Sequence, residues 1–543
     1  MSWHAGLRHS TILSTFSFSS GGSSWPRTAL LLLALSLLCA PAEAAVYNLH
    51  LATDNVPDYA TLESFVESST AAWQTPQDKA IAVWRWGRRS RRQTSCAVED
   101  GRHILDPILH YNSYGAMNCG IISLLNMAVW RELGFQARYI QLGDHTVSEV
   151  SWDGGQTWHL FDSSMSVYCF NHAGEVASCE EIQQPHACEL SGGKNEPGHY
   201  YLYHSAPACA SHLGPTGWRS ASDQPVAYRR TLLNGAASYI DGFSVDRYCQ
   251  MSRTGHRATL NLRPYESYTR YWKPLDHARP PGDAAPKNPA FFRPMADGSD
   301  PDDQHGLNNL RGNGRWLFSP DLSAADCRSV FYDDHGIALK ADDGTGPAVH
   351  PREPGNAANV VFKVCAANVI TSMEIEAAAV CSPDDSLEIL VSRDAGLNWT
   401  SVWRATPGAP QPIRLSLQGE VAGVTQCLVK VAMRAAADVR GVGLDSFRAT
   451  TLTQLNRLAL PKLTLGTNQI ALWAGQQVET TELWPTLHAG AYKRTIFEED
   501  GLSSDDQPDG AYKATLGAGV DGRECSATWR LEVPGAIESV SYA

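Results

Sequence analysis

At 543 residues, with 43% hydrophobic residues and 16 tryptophans, the chain is long and apolar enough for two to four packed domains. A formal net charge of -13 and the lack of a long basic stripe argue against nucleic acid as a partner. Thirteen cysteines point to an oxidising compartment, where disulfides form.

The first segment has the make-up of a leader. Arg27 precedes the apolar run from Ala29 to Ala40, and Ala42-Glu43-Ala44 offers a small-x-small cleavage site. An apolar run this short suits a signal peptide over residues 1–44 better than a membrane span. The expected mature chain starts near Ala45, exported and without a transmembrane segment. Val46 to Ala52 reads as a strand. Thr75-Pro76-Gln77-Asp78 is a helix start, with a capping threonine, a proline in the first position and an acid in the third. Arg88-Arg89-Ser90-Arg91-Arg92 reads as the solvated end of that helix. Asp106 to Tyr114 is a loop.

Asn118 to Ser164 carries the chemistry. From Cys119 to Leu133 the apolar residues Ile121, Ile122, Leu124, Leu125, Ala128, Val129 and Leu133 cover a helical stripe, and Gly134 ends it. Cys119 therefore lies in the first turn, where unpaired N–H groups and the helix dipole favour a thiolate. Strands are expected over Phe135–Ile140, His145–Trp152 and Thr157–Asp162, the last two joined by the turn Asp153-Gly154-Gly155-Gln156. An even-numbered turn pairs Val147 with Asp162, so His145 and Asp162 share a face, diagonal neighbours roughly 7 Å apart. A histidine so held can take the thiol proton while the aspartate fixes its tautomer. Glu149 shares that face, as a cleft residue or a buried partner of Arg138, the latter favoured.

This stretch resembles the transglutaminase-like superfamily, which includes transglutaminases, bacterial cysteine peptidases and peptide N-glycanases. The matching pieces are Tyr114-Gly115 ahead of Cys119-Gly120, then Leu133-Gly134-Phe135-Gln136-Ala137-Arg138-Tyr139, His145 four residues before Glu149-Val150, and Trp158-His159-Leu160-Phe161-Asp162. The resemblance implies Cys119 as nucleophile, His145 as base and Asp162 as orienting acid. It covers about Thr75 to Phe170. Val147 departs from the pattern, since relatives often carry an aromatic residue there. Tyr114 and Asn118 are candidates for the oxyanion hole beside the Cys119 N–H.

Farther along, Cys169, Cys179, Cys188 and Cys209 are expected to staple an irregular segment. Without a C-x-x-C pair, zinc there is disfavoured despite His172 and His186. With Cys39 in the leader and Cys119 set aside, the remaining cysteines are odd in number, so at least one stays unpaired or pairs between chains. The aromatic run Asn261 to Trp272 is either a sugar or peptide platform, with Trp272 as its candidate contact, or an ordinary strand at a domain junction. Arg279 to Gly306 is a linker whose acids Asp297, Asp300, Asp302 and Asp303 lack EF-hand spacing. Beyond Gly312 short alternating runs signal β structure. Ser392 to Trp399 spells an Asp-box turn, and Ser151 to Trp158 fits the same spelling.

Together these readings predict an α+β architecture: a papain/transglutaminase-like catalytic domain over residues 45–230, an aromatic segment and linker over 231–311, a β-sandwich over 312–455 and a small β domain over 456–543. The expected function is an exported cysteine-dependent hydrolase or acyltransferase. It would act at an amide bond of an extracellular protein or glycoprotein through a thioester on Cys119, with no cofactor or metal. The alternatives are a polysaccharide-degrading enzyme and a non-catalytic glycan-binding or adhesion protein.

Overall fold

The computed structural model of the chain describes residues 11–17, 45–53, 56–93, 98–99, 102–142, 145–164, 168, 170–171, 173–181, 237–239, 255–258, 260–271, 312–406, 408, 411–459, 465–475, 480–485, 487–504, 516–537 and 540. Strands hold 40% of the structure and helices 20%. That balance overturns the expected α+β, papain/transglutaminase-like class: the chain is mostly β, and its helices are few.

In chain order the first elements are strands β1 (Thr11–Ser17) and β2 (Val46–Thr53), then helices α1 (Leu62–Thr70), α2 (Pro76–Arg89) and α3 (Cys119–Glu132). Strands β3 (Gln136–Leu142), β4 (His145–Ser151) and β5 (His159–Phe161) follow. Local sequence accounts for the helix ends. The Thr75 hydroxyl accepts the Asp78 N–H at 3.1 Å, and the Asn118 side-chain oxygen accepts the Ile121 N–H at 3.1 Å. Gly134, at φ +81°, stops α3 as the left-handed residue past its end. Phe65, Trp84, Ile122, Leu125, Trp130 and Phe161 pack into one buried core beneath the helices. Strands β3, β4 and β5 form an antiparallel sheet, and a short strand Ala237–Tyr239 adds to the β3 edge. In the β4–β5 pair Ser148 faces Phe161 and Val150 faces His159, the register expected of an even-numbered turn.

That turn owes its shape to Asp153. Its carboxylate accepts the Gln156 and Thr157 N–H groups, each at 3.0 Å, while the Ser151 hydroxyl accepts the Gly155 N–H at 2.9 Å. Gly154 and Gly155 take φ of +78° and +89°, which side chains rarely adopt. The Arg138 guanidinium stacks 4.0 Å from the Trp158 ring centre. The second Asp-box repeats this chemistry. Ser392 accepts the Gly396 N–H at 2.8 Å, Asp394 accepts the Asn398 N–H at 2.8 Å, and Lys430 Nζ stands 3.7 Å over the Trp399 ring. One octapeptide thus builds the same cation-backed turn twice.

The sandwich contains β6 (Leu260–Leu262) only as a neighbour. Its own strands begin with β7 (Glu266–Arg270) and β8 (Gly314–Phe318), then β9 (Asp333–His335), β10 (Ile337–Leu339), β11 (Val349–Pro351), β12 (Ala358–Cys365) and β13 (Val369–Cys381). They continue with β14 (Ser386–Ser392), β15 (Thr400–Arg404), β16 (Gln411–Leu417), β17 (Gln426–Arg434) and β18 (Val442–Gln454). One sheet runs β7-β8-β18-β11-β10, with β13 joining β18 to β16; the other runs β9-β12-β17-β14-β15. Between them Trp316, Phe318, Phe362 and Phe447 are buried, and Phe362 stacks on Phe447 at 4.3 Å. Each such ring contributes about 2–3 kcal/mol of burial free energy.

Two pairings depart from the expected organisation. Glu266–Arg270, within the aromatic segment read as a platform or a junction strand, is a strand, and it forms the edge of the sandwich. Strand β19 (Thr467–Gly475), from the predicted small C-terminal domain, pairs with β2 and with β1, the latter inside the predicted leader. The resulting sheet, β1-β19-β2-β6, brings Thr467–Gly475 against strands from the first 53 residues.

Candidate active site

Cys119 opens α3 and is half-buried. The first turn of the helix lies directly on the β3–β4 pair. A Cβ on Gly120 would sit 3.1 Å from the Tyr139 hydroxyl and 3.6 Å from that of Thr146. The Ser123 hydroxyl reaches both the Cys119 carbonyl, at 2.8 Å, and the Thr146 carbonyl, at 3.3 Å. Thr146 is the neighbour of His145, which starts β4 opposite Leu142. The His145 side chain lies outside the described residues.

Asp162 follows β5 and is 1% exposed. The register that pairs Ser148 with Phe161 carries it to the position opposite Val147. Three groups hold Asp162 and the following Ser163 in place. Trp84 Nε1 donates to the Asp162 carbonyl at 2.9 Å. Arg91 donates to the carbonyls of Ser163, at 2.5 Å, and Met117, at 3.2 Å. Asn126, on α3, donates to the Ser163 hydroxyl at 2.8 Å. The start of α3, the start of β4 and the end of β5 therefore meet in one place.

Arg91 also supplies charge. Burial pulls its guanidinium down to about 10, Arg88 adds to that, and the charges of Asp162, Tyr111 and Cys119 oppose it. It is 5% exposed, so the expected solvated helix end is wrong at this residue. A buried cation near a thiol favours the thiolate. Cys179 stands in contrast: burial, with the Glu149 charge added, pushes its thiol up to about 12.

The other candidate residues have structural places. Tyr114 is 2% exposed and packs with Ala116 and Val369, the latter on the sandwich, so it is closed to a substrate. The turn after it needs glycine: Gly115 has φ +63°, and a Cβ there would meet the Asn456 side chain at 2.5 Å. Asn118 is the helix cap. Glu149 is fully buried, paired with Arg138 at 2.5 Å and accepting the Cys179 N–H at 2.6 Å: it takes the favoured role of buried Arg138 partner and not that of a substrate contact. Burial raises the Glu149 carboxyl more than Arg138 lowers it. Trp272, the acids from Asp297 to Asp303, and Cys169, Cys188 and Cys209 lie outside the described residues. Cys179, Cys327, Cys381, Cys427 and Cys525 are thiols, not disulfide partners. Among the described residues no cluster of three or more His, Cys, Asp or Glu could hold a metal, and no helix is long and apolar enough to cross a membrane.

Arg91, Trp84, Ser123 and Asn126 escaped the sequence reading. Ser123 and Asn126 were the available signal, since both are polar residues inside an otherwise apolar helix.

No family model matches the chain, and no curated protein does. Among solved structures the carbohydrate-binding module TmCBM61, solved in complex with β-1,4-galactotriose, matches 28% of this chain and 76% of its own. The identity is 11% and the TM-score 0.12, too slight a likeness to fix a fold or a ligand.

Proposed function

We propose that this is an exported enzyme in which Cys119 attacks an amide or related acyl carbonyl of an extracellular protein or glycoprotein. The observation that carries the reading is the meeting of the α3 first turn with the start of β4 and the end of β5, bridged by Ser123 and clamped by Arg91. The resemblance of Cys119, His145 and Asp162 to the transglutaminase-like set supports the same roles. The Cys119 thiolate forms a thioester as the C–N bond breaks. His145 gives the leaving amine its proton, and water or a second amine then releases the acyl group. Export rests on the apolar run Ala29–Ala40 and the Ala42-Glu43-Ala44 site.

Iodoacetamide labelling across pH tests the site. Cys119 is expected to label well below pH 8, more slowly in His145→Ala, and not at all in Cys119→Ala. An ordinary thiol profile, unchanged by His145→Ala, would sink the enzymatic reading.

One observation favours a second reading, a glycan-binding protein. A cleft of about 670 Å³ separates the sandwich from residues 494–497 and 530–534, and the rings of Trp399 and Phe497 line it. In this reading glycan binding is indifferent to Cys119→Ala.

A further inference from the structure

The floor of that cleft is formed by outward-facing side chains of the second sandwich sheet. Asp333 pairs with Val361, Val361 with Lys430, and Lys430 with Leu390. Alternation turns Val360, Val429 and Val431 inward, where they are wholly buried, and leaves Asp333 and Lys430 facing out. The opposite wall brings Arg494, Phe497 and Arg530. The second Asp-box turn ties wall to floor, since Asn398 donates its side-chain N–H to the Arg494 carbonyl at 2.9 Å.

Two features of the lining select a ligand. Each ring has a cation beside it: Lys430 Nζ lies 3.7 Å from the Trp399 centre, and the Arg530 guanidinium lies 5.1 Å from that of Phe497. Phe497 is 57% exposed. The charge is also unbalanced. Arg530 is answered by Glu532 and the Asp333 charge acts on Lys430 without an ion-pair contact, whereas among the described residues Arg494 has no carboxylate within ion-pair distance, so three cations face two acids. A surplus of cations in a chain of net charge -13 is a local attraction for anions.

We propose that this cleft binds an acidic oligosaccharide, one bearing carboxylates or sulfates. The C–H faces of its sugars would lie against Trp399 and Phe497, and its anions on Lys430, Arg494 and Arg530. The volume falls within the usual range for ligand clefts, roughly 300–1,000 Å³. The proposal rests on the glycan-binding reading and narrows it to one chemical class. Whether the anion is a carboxylate or a sulfate is left to the choice of probe, since both answer the same cations.

The test is titration calorimetry of the full chain with an oligogalacturonate, a sulfated heparin hexasaccharide and neutral cellohexaose. Binding of at least one acidic probe is expected, weakening with salt. It should fall about tenfold or more in Trp399→Ala and in Lys430→Gln, a loss of about 1.4 kcal/mol. Arg494→Gln, at an exposed position, tests the charge without risk to folding. Equal binding of cellohexaose, with Lys430→Gln and Arg494→Gln unchanged, would overturn the acidic class while leaving glycan binding intact. Failure of all three sugars to bind would overturn the proposal and count against the glycan reading beneath it. Displacement of the acidic sugar by poly-glutamate at equal affinity would overturn it in favour of an acidic peptide.

Discussion

Replacing Arg91 with methionine is the most direct probe of what holds the Cys119 site together. Methionine keeps much of the aliphatic volume and removes the charge and the donors. Two carbonyls, of Met117 and Ser163, then lose their partner inside the protein. Hydrogen bonds from a charged donor are worth about 1.5–3 kcal/mol each, so the loss is about 3–6 kcal/mol. At roughly 2–4 °C per kcal/mol, the transition of the unit holding α3 should fall by roughly 10 °C. The two carbonyls flank Cys119 and Asp162 in sequence, so their release should also loosen the site. Cys119 should label with iodoacetamide more slowly at pH 6–7 and shift towards an ordinary thiol profile, since the buried cation near it is gone. Arg91→Lys should recover part of the stability, because an ammonium reaches only one carbonyl well. Calorimetry and a labelling series measure both effects. A transition within about 2 °C of the parent, together with an unchanged labelling profile, would refute the clamp.

Other outcomes follow from the same structure. Arg138→Met strips the buried Glu149 of its partner and should cost about 3–5 kcal/mol in a thermal melt, more than Glu149→Gln, which leaves unpaired only the partly exposed Arg138 charge. Hydrogen bonds from Thr157 and Ser151 hold the Asp153 carboxyl far below the ordinary carboxylate range. Its stabilising effect is therefore complete above an unfolded-state value of about 3.9 and is lost as pH falls through the lower folded value. Asp153→Asn should lower the melting temperature at pH 7 and shrink the gap from the parent in strong acid. His256 behaves oppositely. Burial works against its charged form, but the Glu482 charge and hydrogen bond and the Asp106 charge outweigh burial and raise it. Its contribution is complete below about pH 6.5 and is lost as pH rises through the folded value. His256→Gln should thus lower the melting temperature most at pH 5–6 and least at pH 9.

What the sequence made legible was local. Thr75 and Asn118 announced the helices they cap, and the glycines after Asp153 announced a turn whose parity sets the β4–β5 register. These signals work because each needs only a hydrogen bond or a backbone angle within a few residues. The places of the three candidate residues were legible to the same extent: Cys119 in a first turn, His145 at a strand start, Asp162 just past the end of the next strand. The side chains that tie their elements to one another were not, because each acts across a long stretch of chain. Arg91 looked like one of four surface arginines, and only the carbonyls of Met117 and Ser163 distinguish it. Nothing in the composition of Asn261 to Trp272 says that Glu266–Arg270 finds its partner in Gly314–Phe318.

The architecture failed for the same reason. The expected papain/transglutaminase-like class was inferred from about a hundred residues around one helix and extended to residues 45–230. Strand β2, read as part of that domain, instead pairs with β19, more than four hundred residues later, where His50 stacks on Trp473 at 5.2 Å. The Asn456 side chain donates to the Ser90 and Tyr111 carbonyls, at 2.6 and 2.9 Å, so the end of the sandwich is bonded to the residue beside Arg91. A motif-sized resemblance has no means of registering such contacts. They carry a consequence for the chemistry: the loop that leads into Cys119 is fastened by the sandwich as well as by its own helices. Asn456→Ala should therefore disturb Cys119 reactivity from outside the helical unit, and a labelling rate equal to the parent's would show that the two halves act independently.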